Sequence, residues 1–592
     1  MTVMANNTDL LTDKVISFYS SLFKNKLDCV LSKNRSYLVS NQFKESISLL
    51  LAKQLSLLCE QIILSQVKNY VMEENPFYFI GEIDIKSDFF KKHLYRVYED
   101  INALGIAYFD NISPRISELL NNKIDSFLLY LNEVLDNIDK DKNNVSFILF
   151  NNKTITKLLD VECENRFSYD DCRTVYIISC DIGKFVYKPR DSKTEKIFKD
   201  ISKKYFNNCF YVPNVLNISN HSYCEFINNN PVKDKNSTKE YYYNMGVLCL
   251  AMVVFRGYDI HSSNILARNT IPVLIDLESI FRPHVDIFNE YNLSFLDNSA
   301  IQTFILPTHV RTTGIRDNNN PLTDTSDANA AMPCVDGVKQ NIYDYCEYFI
   351  DGFKKAYNDI LSRKDELIKD LTSMDSLFIR ILIRNFGIYH GDICRFLSID
   401  NLSSNEKRKE LINKLISVFS DNYRSENIAR CEIESISNGT IPYFYSYSNS
   451  KDLYYKNRIA EKNFMKITPL DNCINRINAM SVAERDFEID LIKGTLTNEI
   501  IIIPPIYDEI SSSDKKKLFS LIEKYVIKVP NGKYVWSNIY DNDRMGDVLA
   551  ISKNSKEIAN FCKRYADETE NLSEKNLALD FALNSLNTDL FI

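Results

Sequence analysis

Between Asp259 and Glu278 the chain reads DIHSSNILARNTIPVLIDLE. An acid, Asp259, is followed by an amide, Asn264. A short apolar run, a turn at Asn269-Thr270, a second apolar run over Pro272–Ile275 and a second acid, Asp276, come next. Two apolar runs separated by a polar turn predict a β-hairpin, which brings Asn264 and Asp276 to the same end. Carboxylate and amide oxygens are the ligands Mg²⁺ prefers. An acid, an amide and a second acid in this order suit phosphate transfer from a nucleotide. The first Asp handles a hydroxyl proton, and the Asn and second Asp hold metal on the phosphates.

Composition narrows the class. The 592 residues are 45% hydrophobic and 25% charged, as in ordinary globular proteins, and long enough for two to four structural units. A net charge of -8 argues against nucleic acid as the main partner. Fourteen Cys are scattered singly with no C-x-x-C pair, which fits packed, reduced thiols better than a zinc site or a disulfide framework. The start, MTVMANNTDLLTDK, has no signal-peptide pattern, and the longest apolar run, Met245–Phe255, is too short to span a membrane. The expected location is the cytoplasm.

Periodicity predicts organisation. Leu50–Val67 and Ile116–Ile138 repeat apolar residues at helical spacing, and KDKNN (140–144) reads as a polar break. Thr174–Cys180 and Lys184–Arg190 flank a turn at Asp181-Ile182-Gly183 and predict a hairpin. Residues 228–240 read as a polar loop, leading into an apolar helix that ends at the acid–amide motif. Residues 312–332 form a polar stretch of the kind that phosphotransferases keep as a mobile loop. From Asp344 to Leu496 the pattern is mostly helical. Ile500–Pro505 looks strand-like, and helices are expected near Lys556–Tyr565 and Leu577–Leu586.

Lys188, in FVYKPR on the second hairpin arm, is placed to neutralise nucleotide phosphates; a lone strand lysine would otherwise read as solvent-facing. Glu225 is its candidate ion-pair partner, with a solvated loop Glu as the plain alternative. Asp259 and Asn264 taken singly read as turn caps, and Asp276 and Glu278 as acids at a strand end. Their order around two apolar strands favours a shared site. His261 either orients phosphate or base, or is a structural hydrogen-bonding histidine. No G-x-G-x-x-G precedes Lys188, so an ordinary eukaryotic-type protein kinase is disfavoured.

VYKPR, YYYNMG and DIHSSNILARNTIPVLIDLESIF, with DYCEYFIDGFKKAY, RILIRNFGIY and NGTIPYFYSYSNSKDLYY, resemble the dehydratase domain of class II lanthipeptide synthetases, the LanM type. The likeness runs with gaps from about Asn75 to Leu496. It implies an α+β fold with a kinase-like bilobal core, related to lipid kinases, and extensive helical additions. The implied parts are a helical region over 1–150, an N-lobe with the lysine hairpin over 151–235, and a C-lobe with the catalytic and metal motifs over 236–496. A C-terminal extension over 497–592 faintly resembles the start of a cyclase. The resemblance further implies phosphorylation of Ser and Thr in a precursor peptide with ATP and Mg²⁺, followed by phosphate elimination. Lys188, Asp259 and His261 carry the catalytic roles in that reading, with Lys188 on the nucleotide side, where the residues themselves add Glu225 as its candidate partner. Asn264, Asp276 and Glu278 serve the metal, and Arg380 and Arg384 bind phosphate or product.

The departures fall on elimination. The family's Asp-x-His pair before the lysine is missing from NRFSYDDCRTV, where Asp170 and Asp171 are not equivalent. Phe386 stands where the family has Thr, and Thr440 where it has Asp. β-Elimination needs a base and donors for the leaving phosphate, and a phenyl ring supplies neither. No His follows His390, so a Cys/Cys/His zinc site, and with it ring formation, is not expected within these residues. The leading expectation is a Ser/Thr kinase derived from a dehydratase. A complete stand-alone dehydratase and an inactive peptide-binding scaffold are the alternatives.

Overall fold

The computed structural model describes residues 23–75, 87–163, 169, 172–218, 220–283, 299–307, 320–323, 325–326, 329–384, 386–423, 425–496, 501–502, 511–529, 532–536, 539–540 and 555–585. The N-terminal periodicity becomes four helices, α1 (Asn41–Glu74), α2 (Asp88–Leu104), α3 (Ile106–Ile112) and α4 (Pro114–Leu149). Ser40, Ser87 and Ser113 accept hydrogen bonds from first-turn amides of α1, α2 and α4, which have no partner inside the helix. The KDKNN stretch does not break α4, which runs through it. The cause is tertiary. Asp141 is buried, with Oδ2 2.8 Å from His221 Nε2 and accepting from the Tyr223 hydroxyl at 3.1 Å. Val145 and Ser146 are buried one turn later.

Against these helices lies a six-stranded sheet of order β1-β2-β3-β4-β6-β5. Its strands are β1 (Leu38–Val39), β2 (Lys157–Glu162), β3 (Tyr176–Cys180), β4 (Gly183–Lys188), β5 (Val215–Ile218) and β6 (His221–Glu225). Strands β3 and β4 form the expected hairpin, with Cys180 opposite Gly183. Strand β6 pairs antiparallel with β4, setting Lys188 opposite Ser222 and Phe185 opposite Glu225. Phe185, Tyr187 and Tyr223 point into one apolar core with α1, α2 and α4. Helix α5 (Lys193–Tyr205) starts just past the end of β4.

A second core surrounds α6 (Lys235–Val254), nearly every side chain of which is buried in its second half. The polar loop expected over 228–240 is shorter than its composition suggests. Asp234 caps α6 through the Ser237 amide, and Asn230–Pro231 adds a short strand β7 beside β8 (Ile265–Asn269) and β9 (Ile271–Leu274). Helix α6 crosses α7 (Cys346–Ser362) at backbone contact. A Cβ on Gly246 would lie 1.9 Å from the Phe349 carbonyl oxygen, and one on Gly352 would lie 2.0 Å from that of Tyr243.

Helices α8 (Lys364–Thr372), α9 (Phe386–Phe396), α10 (Asn405–Tyr423), α11 (Glu426–Ile436), α12 (Pro469–Ala479) and α13 (Val482–Thr495) match the helical pattern expected after Asp344. The same region also holds a four-stranded antiparallel sheet, β10 (Phe378–Ile381), β11 (Phe444–Tyr447), β12 (Leu453–Tyr455) and β13 (Arg458–Glu461), which the periodicity does not announce. Aromatic pairs across strands support it: Tyr445 stacks on Tyr454 at 5.5 Å and on Phe378 at 4.8 Å.

The C-terminal part has its own small core. It joins α14 (Ser512–Lys524), the hairpin β14 (Val526–Lys528) and β15 (Tyr534–Trp536), α15 (Ser555–Glu568) and α16 (Leu572–Asn584). Trp536 is fully buried there and donates to the Ile522 carbonyl at 3.1 Å. The strand-like Ile500–Pro505 appears as Ile501–Ile502, and the rest of it lies outside the described residues. So does most of the expected loop over 312–332. Among the described residues no helix is long and apolar enough to cross a membrane.

The α6–α7 crossing is a sensitive point. Gly246→Ala forces two backbones apart, and overpacking of this kind costs about 1–3 kcal/mol or more. Denaturant unfolding of the variant is expected to show a lower midpoint by that amount.

Candidate functional site

The acid–amide motif sits between the end of α6 and β8. Arg256 and Asp259 both adopt left-handed backbone conformations, at φ 54° and 64°. Such residues are uncommon outside Gly, Asn and Asp, and they cluster at functional sites. The turn is held from outside by the Ile260 amide, which donates to the Thr303 carbonyl at 3.1 Å. The hairpin β8–β9 has the predicted register, with Ile265 opposite Leu274. The Ile275 amide extends the ladder to the Asn264 carbonyl at 3.1 Å, so Asn264 and Asp276 emerge at one end.

Asn264 Nδ2 donates to the Asp259 carbonyl at 2.9 Å. His261 Nδ1 accepts from the Ser263 amide at 3.3 Å, and its Nε2 lies 3.4 Å from Asn264 Nδ2. Nε2 is 4.0 Å from Asp259 Oδ1. Burial raises the Asp259 pKa above the usual aspartate range. Asp276 and Glu278 push it the same way, while His261 and Arg380 oppose them. A carboxylate of raised pKa is a stronger base toward a hydroxyl.

Lys188, at the end of β4, is 6% exposed, and its Nζ donates to the Ile275 carbonyl at 2.9 Å. Burial opposes its charge, but Cys224, Glu195 and Asp276 hold its pKa above the usual lysine value. Its acidic partner is Glu195, in the first turn of α5, at 3.4 Å. This corrects the expected pairing with Glu225. Strand β6 runs antiparallel to β4, so Glu225 lies opposite Phe185, away from Lys188. Glu225 instead accepts from Tyr211 at 2.6 Å and from Arg268 at 2.9 Å.

Arg190, just past β4, is the hub the sequence reading missed. It contacts Glu195 at 2.9 Å, Asp276 at 3.0 Å and Glu278 at 3.2 Å. Burial would raise the Glu195 pKa, but Arg190 and Lys188 pull it below the usual range, so it stays charged. Glu278 also takes Arg380 and the Tyr443 hydroxyl, the latter at 3.2 Å. With Arg190 and Arg380 on separate oxygens, Glu278 anchors two guanidinium groups, which departs from its expected role as a metal ligand. The signals for both missed residues were weak: Arg190 stands inside VYKPR, and Glu195 lies in a helix whose docking is set by tertiary structure.

Asn264 and Asp276 fit a metal as a pair. Asn264 uses its nitrogen on the chain, and Asp276 receives both the Arg190 side chain and the Glu278 amide on Oδ1 alone. Among the described residues no group of three His, Cys, Asp or Glu is arranged for a metal. Two oxygen donors suit Mg²⁺, which keeps waters and takes substrate phosphate oxygens.

Arg380 and Arg384 line a small depression with Ile381–Ile383, Phe386, Tyr389, Ile441 and Pro442. Both arginines are already engaged by acids. Arg380, bound to Glu278, lies 4.6 Å from the Tyr169 ring, 5.0 Å from Tyr443 and 5.4 Å from Phe386. Arg384 pairs with the buried Glu432 at 3.0 Å, and Tyr389 donates to the same carboxylate at 2.8 Å. Burial pushes the Glu432 pKa up to about 7 despite Arg384. Phe386 is half-exposed at the start of α9, and the Thr440 hydroxyl donates to the Ser435 carbonyl at 3.1 Å. Asp170 and Asp171 lie outside the described residues.

Fold and site thus define a mixed helix-and-strand protein with a buried cluster of alternating charges beside an Asp–His–Asn loop. Residues 114–329 and 321–447 match the profile of a family described as a domain of unknown function, DUF4135, which covers more than half of the chain. The chain belongs to that family. Over 535 residues it is also 23% identical to LcnDR2, the lacticin 481/lactococcin biosynthesis protein of Lactococcus lactis subsp. lactis. The match covers 81% of this chain and 55% of LcnDR2, so the chain spans about half the length of this curated relative.

Two outcomes follow. Glu195→Ala strands Lys188 and Arg190 without a neutralising partner, and breaking a buried pair costs about 3–5 kcal/mol. Chemical denaturation is expected to read that loss, with Glu225→Ala losing less. Glu432 has a folded-state pKa above its unfolded value, so the folded state binds the extra proton. Its contribution therefore favours folding below pH 4.5 and is lost as pH rises toward about 7. Against Glu432→Gln, the wild-type stability difference should decline across that window.

Proposed function

We propose that this protein transfers the terminal phosphate of ATP, with Mg²⁺, to Ser or Thr hydroxyls of a peptide or protein, and that the elimination step is lost. One observation carries the reading: the buried Lys188–Glu195 pair bonds the carbonyl of Ile275, next to Asp276, which emerges beside Asn264. Phosphotransferases need a cation on the nucleotide phosphates next to the acid that holds their metal. The kinase-like, bilobal reading of the fold rests on this arrangement and on the resemblance to LanM dehydratase domains. The printed role of LcnDR2 in lacticin 481/lactococcin biosynthesis supports a precursor peptide as substrate.

In this reading, Lys188 neutralises nucleotide phosphates, and Glu195 keeps it charged and in place. Asp259 takes the proton of the acceptor hydroxyl, helped by a pKa raised through burial. His261, 4.0 Å from that carboxylate, steadies it or the incoming phosphate. Asn264 and Asp276 would hold Mg²⁺, which supplies charge neutralisation on the phosphates when bound. Phosphate elimination needs a base beside Arg380 and Arg384, and Phe386, which lines the same depression, is none. A second reading, a dehydratase that also eliminates the phosphate, is favoured by the depression itself, since two arginines there suit a leaving phosphate.

Intact-mass spectrometry of Ser/Thr peptides incubated with the protein, ATP and Mg²⁺ separates the two. A persistent gain of one phosphate mass is expected; a loss of one water mass would replace it with the dehydratase reading. Asp259→Asn is expected to slow phosphate transfer by about 10²–10⁴-fold, the usual worth of a general base.

A further inference from the structure

We infer that Arg190 is a positioning residue for metal: it pins one oxygen of Asp276 so that the other is presented to Mg²⁺. The inference rests on the phosphotransferase reading and deepens it. Both contacts from the protein to the Asp276 carboxylate fall on Oδ1, from Arg190 Nη2 at 3.0 Å and from the Glu278 amide at 3.3 Å. The side chain is 37% exposed, so the carboxylate reaches the site surface while anchored from behind.

The anchor is itself fixed. The Arg190 side chain is 9% exposed and meets Glu195 at 2.9 Å and Glu278 at 3.2 Å, through different nitrogens from the one that holds Asp276. A guanidinium is a planar fork with donors in fixed directions. Held by the buried Glu195 and the partly buried Glu278, it has one orientation left for the third acid. A lysine keeps the charge but loses the fork, so it can neutralise the acids without fixing the Asp276 oxygen. Groups of this kind, behind a metal ligand, are worth about 10–100-fold in metal affinity.

Glu278 also belongs to this support. It holds Arg190 on one oxygen and Arg380 on the other, and its own amide donates to Asp276. The backbone closes the same circuit, since the Arg380 amide donates to the Glu278 carbonyl at 3.0 Å.

Calorimetric binding of a non-hydrolysable ATP analogue to the full chain, with and without Mg²⁺, tests this. In the wild type, Mg²⁺ should tighten binding. In Arg190→Lys the tightening by Mg²⁺ should fall about 10–100-fold, while metal-free nucleotide affinity stays within about twofold of wild type. An Mg²⁺ effect equal to that of wild type would overturn the positioning role, and so would equal loss of both affinities, which marks a purely structural residue. If Arg190→Lys does not fold, Glu195→Gln loosens the same guanidinium without touching Asp276. A loss of the Mg²⁺ effect by a factor of about three or more supports the role, and an unchanged effect overturns it. A wild-type chain that binds the analogue with no Mg²⁺ effect would sink the phosphotransferase reading together with this one.

Discussion

One guanidinium organises the site. Arg190 is withdrawn from water, and three carboxylates converge on it from three parts of the chain: α5, the second residue after β9, and the turn beyond it. A cation that deep is tolerated only when it is paired and hydrogen-bonded. The requirement runs both ways. Glu195 stays charged because Arg190 and Lys188 offset its burial, and the cation needs all three elements in their native places. The sheet that carries Lys188, the helix that carries Glu195 and the hairpin that carries Asp276 are thereby tied at one point.

The division of labour among the acids follows from what each one touches. Glu195 is fully enclosed between Lys188 and Arg190 and has no route to a ligand. Glu278 is spent on Arg190 and Arg380. Asp276 alone of the three is substantially exposed, and the proton affinity of Asp259, on the neighbouring loop, is raised first by burial and then by the negative charge of Asp276 and Glu278. Four acids in one small region would repel each other strongly without Lys188, Arg190 and Arg380 interleaved among them.

Much of this was legible from local pattern, and the remainder was not. The β8–β9 hairpin and its register follow from two apolar runs and a polar turn, which is why Asn264 and Asp276 were placed together correctly. The β3–β4 hairpin with Lys188 on its second arm reads the same way. The Glu225 assignment failed because neighbouring position in a sheet depends on register, and β6 meets β4 with Glu225 at the far end. Glu195 and Arg190 went unnoticed because their pairing depends on how α5 docks, for which no periodicity speaks. The reading of KDKNN as a polar break failed for a related reason: a buried Asp141–His221 contact outweighs local polarity and the helix runs on.

The glycine crossing of α6 and α7 bears on how such a protein moves. Gly246 faces the Phe349 carbonyl and Gly352 faces that of Tyr243, so each helix seats in the other's backbone. Sliding by a residue would drive a side chain into a peptide group, and rolling would do the same. Helix α6 leads directly to Asp259, so the loop bearing the acid hangs from a joint that is locked along two directions. The position of Asp259 is therefore inherited from the α6–α7 crossing, far along the chain from the strand that carries Lys188.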